Sequence, residues 1–440
     1  MSGNQRPASV WIFNSLFGSM RPFSAVLVWG AAVISSAIAC AGEPLAWNQW
    51  RGPQRDGQVG DSDWPSALGD HLSLVWQQAH APSYSGPITF GDWVFTTETI
   101  NKQVERVTAY ELATGNKVWH TEWPGEMTVP FFAASNGSWI RATPACVDGH
   151  LLVMGMRDVL VCLDPATGNE KWRVDFPHDM GGPVPSFGAA SSPIIDGDGV
   201  IVQTGGAVMR LSLADGSLIW KTLENAGDMM SSGAFSSPTI AMLCAKRQLV
   251  VQTRTHLCGV ELSTGKVLWR EPIEAFRGMN ILTPLVVGNQ VYTSAHSGKA
   301  QLFDIRCDES GRWSVHEVWN QKTQAYMSSP VLVGDTIYLH AKNQRVVATA
   351  LQDGTIRWTS SPQAKYWSMV SNGERILALA ESGDLLLLDA SDEQFNVIDK
   401  TKVAEDAWAH LAVQGPWVIV RDLAALRVYR WTESSAKPGS

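Results

Sequence analysis

One short turn-and-strand motif returns along the chain: Ala113-Thr114-Gly115-Asn116-Lys117-Val118-Trp119, then Ala166 to Trp172, Ala214 to Trp220, Ser263 to Trp269 and Gln352 to Trp358. In every copy a glycine stands four residues before a tryptophan. A period of roughly 40 to 50 residues that holds a turn glycine and a large aromatic in register marks a repeat architecture, in which each unit buries its apolar face against its neighbours.

The units also share an opening. Small-small-Pro recurs as Ser85-Gly86-Pro87, Ala142-Thr143-Pro144, Ser191-Ser192-Pro193, Ser236-Ser237-Pro238, Leu282-Thr283-Pro284 and Ser328-Ser329-Pro330. Proline has no N–H to give a ladder and belongs at the start of a strand. A short apolar run follows, then a hairpin pair such as Gly91-Asp92, Asp148-Gly149, Gly288-Asn289, Gly334-Asp335 or Asn372-Gly373, residue types that accept the positive φ of tight turns. Two more apolar runs follow, as at Leu151 to Met154 and Val159 to Leu163. The Gly-x-x-x-Trp segment makes the last turn and a fourth strand. Four antiparallel strands per unit, with no helical periodicity between them, describe a β-propeller blade.

The seventh unit, beginning at Tyr366, is worn, with Ser391, Asp392 and Phe395 where Thr, Gly and Trp are expected. The eighth, from His410 to Trp431, lacks a fourth strand, whereas Leu72 to Gln77, around Trp76, is a fourth strand without the first three. The N-terminal strand therefore completes the last blade and leaves no open edge. The expected fold class is all-β, an eight-bladed propeller of four-stranded antiparallel blades, or seven-bladed if the worn units merge. Residues 1–40 form a signal peptide or N-terminal anchor, 41–71 a lead-in, 72–431 one propeller domain and 432–440 a tail.

The fullest copy, Leu163-Asp164-Pro165-Ala166-Thr167-Gly168-Asn169-Glu170-Lys171-Trp172, resembles the pyrroloquinoline-quinone-type propeller repeat. That repeat is shared by quinoprotein dehydrogenases and by the outer-membrane assembly lipoprotein of the β-barrel insertion machinery. The resemblance covers residues 47 to 431, and the lead-in from Trp47 to Gly57 is similar to that of secreted propellers of planctomycete-type bacteria. It implies that Trp76, Trp119, Trp172, Trp220, Trp269, Trp319 and Trp358 pack against neighbouring blades. In the dehydrogenases it would imply a vicinal Cys-Cys ring, a Trp beneath the cofactor, a Glu-Asn-Asp set holding calcium and a catalytic Asp. No Cys-Cys pair occurs and no residue matches the calcium set. Nor do such short units leave room for the long insertions that wall in the quinone. No cofactor, metal or catalytic residue is therefore expected, and pyrroloquinoline quinone is disfavoured.

A formal charge of -8 argues against nucleic acid, which needs a basic footprint. Arg21 precedes an apolar run from Phe23 to Ala39 that ends Ala37-Ile38-Ala39 before Cys40. That pattern is a secretory signal, with Met20 as an alternative start and an uncleaved or lipidated membrane anchor as the alternative fate. The mature protein is thus expected to be extracytoplasmic, periplasmic or secreted. Past the signal, Cys146, Cys162, Cys244, Cys258 and Cys307 show no C-x-x-C. The pairs 146/162 and 244/258 fall on first and third strands of single blades, beyond disulfide reach, so all read as small hydrophobes.

What remains is a surface. The loops before each first strand carry Tyr84, Phe132, Met230, Phe276, Arg277, Met279, Tyr326, Met327, Tyr366, Trp367, Met369, Trp408 and His410, with Phe187 and Phe235 closer to the strand starts. Equivalent blades would gather them around one mouth of the channel. Aromatic and Met-rich rings of this kind bind partners, because they bury much area and re-pack readily. The expected function is a non-catalytic scaffold that binds a protein or extended peptide of the cell envelope; the alternative is a small-molecule-binding or quinone-dependent oxidoreductase propeller.

Overall fold

The computed structural model describes residues 46–60, 64–225 and 232–432. The signal or anchor segment, the tail beyond Thr432, and Met229 and Met230 lie outside the described residues. Those described form eight four-stranded antiparallel sheets. Blade 1 consists of Ile88–Phe90, Trp93–Ile100, Val104–Glu111 and Lys117–Pro124. Blades 2 to 7 repeat it over residues 145–175, 194–222, 239–272, 285–321, 331–359 and 367–402. Blade 8 takes Ala412–Gln414, Trp417–Arg421 and Ala425–Trp431, and Leu72–Ala79 pairs with its last strand, Leu72 opposite Trp431 and Ala79 opposite Ala425. The worn seventh unit keeps four strands of its own, so the count is eight and not seven.

The central strands of each blade are apolar on both faces because both faces meet another blade. Phe95 and Val107 of blade 1 share a core with Leu151, Val153 and Val161 of blade 2. Each such side chain contributes about 1.5–3 kcal/mol on full burial, and the ring is held by these seams.

The repeated motif is the outer fastening of the same seams. Trp76, Trp119, Trp172, Trp220 and Trp319 lie over Gly115, Gly168, Gly216, Gly265 and Gly354 of the next blade. These glycines have φ between 72° and 75°, and a Cβ on any of them would stand 2.5–2.8 Å from the indole. Glycine is therefore demanded twice, by backbone conformation and by contact. Each indole N–H also donates to a carbonyl across the seam, for instance Trp172 to Leu213 at 2.9 Å and Trp220 to Leu262 at 2.8 Å. Trp358 faces the worn turn and keeps this bond, to Ser391 O at 2.9 Å, without a glycine. Trp269 departs further. Blade 5 makes a longer turn around Gly311, whose Cβ position has no neighbour within 4 Å. Trp269 still packs with Phe303 and Ile305 of blade 5 but donates to Gln248 Oε1 of its own blade at 2.7 Å.

At the inner wall, the small residues before the prolines stitch neighbouring blades together. The N–H of Gly86 donates to Thr143 Oγ1, that of Thr143 to Ser192 Oγ, that of Ser192 to Ser237 Oγ and that of Thr283 to Ser329 Oγ, all at 2.9–3.0 Å. These hydroxyls satisfy backbone donors that would otherwise be buried unpaired.

The lead-in crosses the axis of the ring. Trp47 exchanges hydrogen bonds with Thr89 of blade 1, Asn48 with Cys146 of blade 2, and Gly57 and Val59 with Ser371 of blade 7. Arg51 donates to Pro330 O in blade 6, and Arg55 to Ser192 O and Pro193 O in blade 3 at 3.0 and 2.8 Å. Both arginines are only 2% exposed. Burial pulls the Arg55 guanidinium down to about 9. The lead-in thus bonds to blades 1, 2, 3, 6 and 7 and plugs the ring from within.

Candidate functional site

Antiparallel strands alternate direction, so turns between first and second and between third and fourth strands share one face of the ring. The second-to-third turns and the connections between blades share the other. On that second face a cavity of about 390 Å³ opens. Tyr84, Phe132, Phe276, Arg277, Met279, Tyr326, Met327, Tyr366, Trp367, Trp408 and His410 all line it, together with Phe187 and Phe235. Met369 is the correction: it lies within a strand, 0% exposed, in the core of blade 7. Its neighbour Trp367 reaches the cavity yet is 3% exposed and stacked on His340 at 5.4 Å, so it is structural first.

The rings form two arcs. One runs Phe132, Phe187, Phe235 with centroids 6.0 and 5.9 Å apart, ending under Arg254, 4.8 Å above the Phe235 ring. The other runs Phe276, His296, Tyr326, Tyr366, Trp408, Tyr84 at 5.5, 5.2, 5.9, 4.1 and 5.0 Å. Arg277 lies over Phe276 and Arg141 over Tyr84, at 5.1 and 5.7 Å. Burial pushes the Tyr84 hydroxyl up to about 12, with Asp406 adding to it against Arg141. Tyr366 is raised as well, by burial and then by Tyr326.

The floor is set by the plug. Trp50 donates its indole N–H to Thr283 Oγ1 at 2.9 Å and meets His410 edge-on at 5.1 Å. Burial, reinforced by nearby Arg51, holds His410 down at about 3, so this imidazole is neutral. Trp50, Arg141, Arg254 and His296 were missed in the sequence. Arg254 and His296 come from second-to-third turns, which share this face by strand alternation; that signal was legible. Trp50 was not, because nothing local places the lead-in on the axis.

Chemically, the mouth offers aromatic faces, thioethers and three guanidiniums, and among the described residues no carboxylate lines it. Arg141 and Arg254 are held by backbone carbonyls, Arg141 to Gly137 O at 2.7 Å and Arg254 to Ser232 O and Arg277 O at 2.6 Å. Among the described residues no group of His, Cys, Asp or Glu is arranged to hold a metal. Among the described residues the lining offers no carboxylate to hold calcium, which does not fit a calcium-bound quinone.

A family model described as outer membrane protein assembly factor BamB matches residues 103–360. The assembly factor BamB of Yersinia pestis is 22% identical over 264 residues, 58% of this chain and 61% of that protein. That of Moranella endobia is 24% identical over 304 residues, 65% of this chain and 72% of that protein. The crystal structure of BamB from Moraxella catarrhalis superposes with a TM-score of 0.61 at 16% identity, covering 82% of this chain and 100% of that one. A quinohemoprotein alcohol dehydrogenase from Comamonas testosteroni does so at 0.62 and 12% identity, covering 91% and 83%. At such identities the structural likeness speaks to fold alone.

Proposed function

The chain belongs to the outer membrane protein assembly factor BamB family, and we propose that it is a non-catalytic extracytoplasmic scaffold that binds a protein or extended peptide of the cell envelope at the aromatic mouth. The observation that carries this reading is the cavity itself: stacked rings from several blades, a floor set by Trp50 and, among the described residues, no acidic side chain in the lining. Aromatic and arginine side chains dominate binding energy at interfaces. The mouth therefore suits a segment that inserts an apolar or aromatic side chain with carboxylates beside it, the guanidiniums over the rings supplying the complementary charge. Names of relatives that refer to outer membrane protein assembly support a partner in that compartment.

The test is cross-linking in envelope preparations with wild type and with the double variant Tyr366→Ala/Trp408→Ala. A defined partner adduct lost in the variant, with unchanged thermal unfolding, supports the mouth as the binding face. An undiminished adduct refutes it. The second reading, a small ligand in the same cavity, is favoured by its enclosed aromatic walls. It predicts a saturable thermal shift with a ligand that stacks on aromatic faces, such as a saccharide, and none with pyrroloquinoline quinone plus calcium over calcium alone; a quinone-specific shift would overturn that reading of the lining.

A further inference from the structure

Cys244 and Cys307 meet at the seam between blades 4 and 5, on the face opposite the mouth. Cys244 sits in the turn joining the first two strands of blade 4, with φ 48°. Its backbone N–H donates to Asn289 Oδ1 of blade 5 at 2.7 Å, and its thiol donates to Ile305 O at 3.2 Å. Burial raises the Cys244 thiol, and the backbone of nearby Cys307 acts against that rise. Cys307 ends the strand Ala300–Cys307, whose Phe303 and Ile305 point into the core shared with blade 4. The two-residue strand period puts Cys307 on that same side. Its thiol is partly exposed, at a surface depression lined by Arg306, Arg312 and Trp313, and Cys244 is partly exposed too. Cys146, Cys162 and Cys258 are buried, and burial pushes Cys162 and Cys258 up to about 12, so those three are inert.

We propose that Cys244 and Cys307, free thiols in this structure, are an oxidation site that closes to a disulfide clasp between blades 4 and 5. The oxidant is a thiol–disulfide exchange partner, a small oxidised disulfide or a disulfide-forming protein. One thiol of the pair loses its proton and attacks the oxidant's S–S bond, and the first oxidant thiol leaves. The second cysteine, deprotonated in turn, attacks the mixed disulfide and expels the second oxidant thiol. Two cysteine thiols are oxidised, one external disulfide is reduced to two thiols, and both protons pass to the leaving thiolates. The clasp stands where the regular fastening is missing, because at this seam Trp269 has no turn glycine to cover. Its two ends lie on separate blades, which is why pairing within a blade, the arrangement weighed from sequence, could not find it.

The purified protein is equilibrated with oxidised and then with reduced glutathione, denatured, alkylated with iodoacetamide and mapped by peptide mass. The expected result is a linked pair of peptides containing Cys244 and Cys307 in the oxidised sample alone, with Cys146, Cys162 and Cys258 alkylated in both. Cys307→Ser should abolish the linked pair and leave Cys244 either alkylated or held as its glutathione adduct. Full alkylation of both cysteines in the oxidised wild type overturns the proposal, as does a glutathione adduct on either that never resolves to the linked pair. The readout on wild-type protein decides the question even if the variant folds poorly.

Discussion

Arg55 donates to the carbonyl oxygen of Pro193 over 2.8 Å, so a side chain from the lead-in closes the inner end of blade 3. A second donor from the same guanidinium reaches Ser192 O. Arg55→Ala removes both and leaves the carbonyls without those donors in a buried site. The expected loss is about 2–4 kcal/mol of unfolding free energy. Gln54→Ala, next to it but exposed, should stay within about 0.5 kcal/mol of wild type. Urea unfolding of the two variants is the check, and equal midpoints would mean the plug does not stabilise the ring.

The motif glycines separate backbone strain from contact. Gly216 and Gly311 both have positive φ, 75° and 79°, but a Cβ at Gly216 would stand 2.7 Å from the Trp172 ring, whereas at Gly311 it meets nothing within 4 Å. Gly311→Ala should cost about 1–2 kcal/mol from the left-handed backbone alone. Gly216→Ala should exceed it by at least about 1 kcal/mol, since the indole must shift. Denaturant midpoints compared at equal m-value decide it.

Asp158 donates pH dependence to the seam between blades 2 and 3. It is buried, accepts the Gly205 N–H at 2.5 Å, and burial raises its carboxyl to about 7. A raised carboxyl favours folding while protonated, so its contribution is full below the ordinary value of 3.8 and is lost as pH climbs to about 7. Buried His340 and His410, held at about 4 and about 3, act in the opposite sense over part of that window. The difference between Asp158→Asn and wild type isolates the carboxyl. It should move in the variant's favour by roughly 1–3 kcal/mol between pH 4 and pH 8, measured by urea unfolding at both. A flat difference would show that the group ionises normally.

Tyr366 and Trp367 are adjacent but should fail in different ways. Trp367→Ala empties a core position stacked on His340 and should cost about 3–5 kcal/mol. Tyr366 stands in the mouth between Tyr326 and Trp408, and Tyr366→Ala should lose partner adduct with a much smaller change in melting temperature. Differential scanning calorimetry run beside the cross-linking assay separates the two.

The blade count, the closure by the strand containing Trp76 and the role of the turn glycines were legible because each depends on spacing within one repeat and on contact with the next copy. The loops that form the mouth were legible for the same reason: equivalent units put equivalent loops on one face. Met369 was misplaced by two residues' worth of strand boundary, which the apolar run around it does not mark. Trp269 packs on blade 5 as expected, but its indole N–H bonds within its own blade because the facing turn is a longer hairpin, which the spacing of the motif alone does not mark.

Periodicity, turn chemistry and apolar patterning are local properties, and a ring of like units turns them directly into a fold; that much the chain determined by its order alone. The plug, the floor beneath Trp50, the buried arginines and the meeting of Cys244 with Cys307 break the repeat. They join segments far apart in sequence, and only ring closure, which brings such segments within hydrogen-bonding range, decided them.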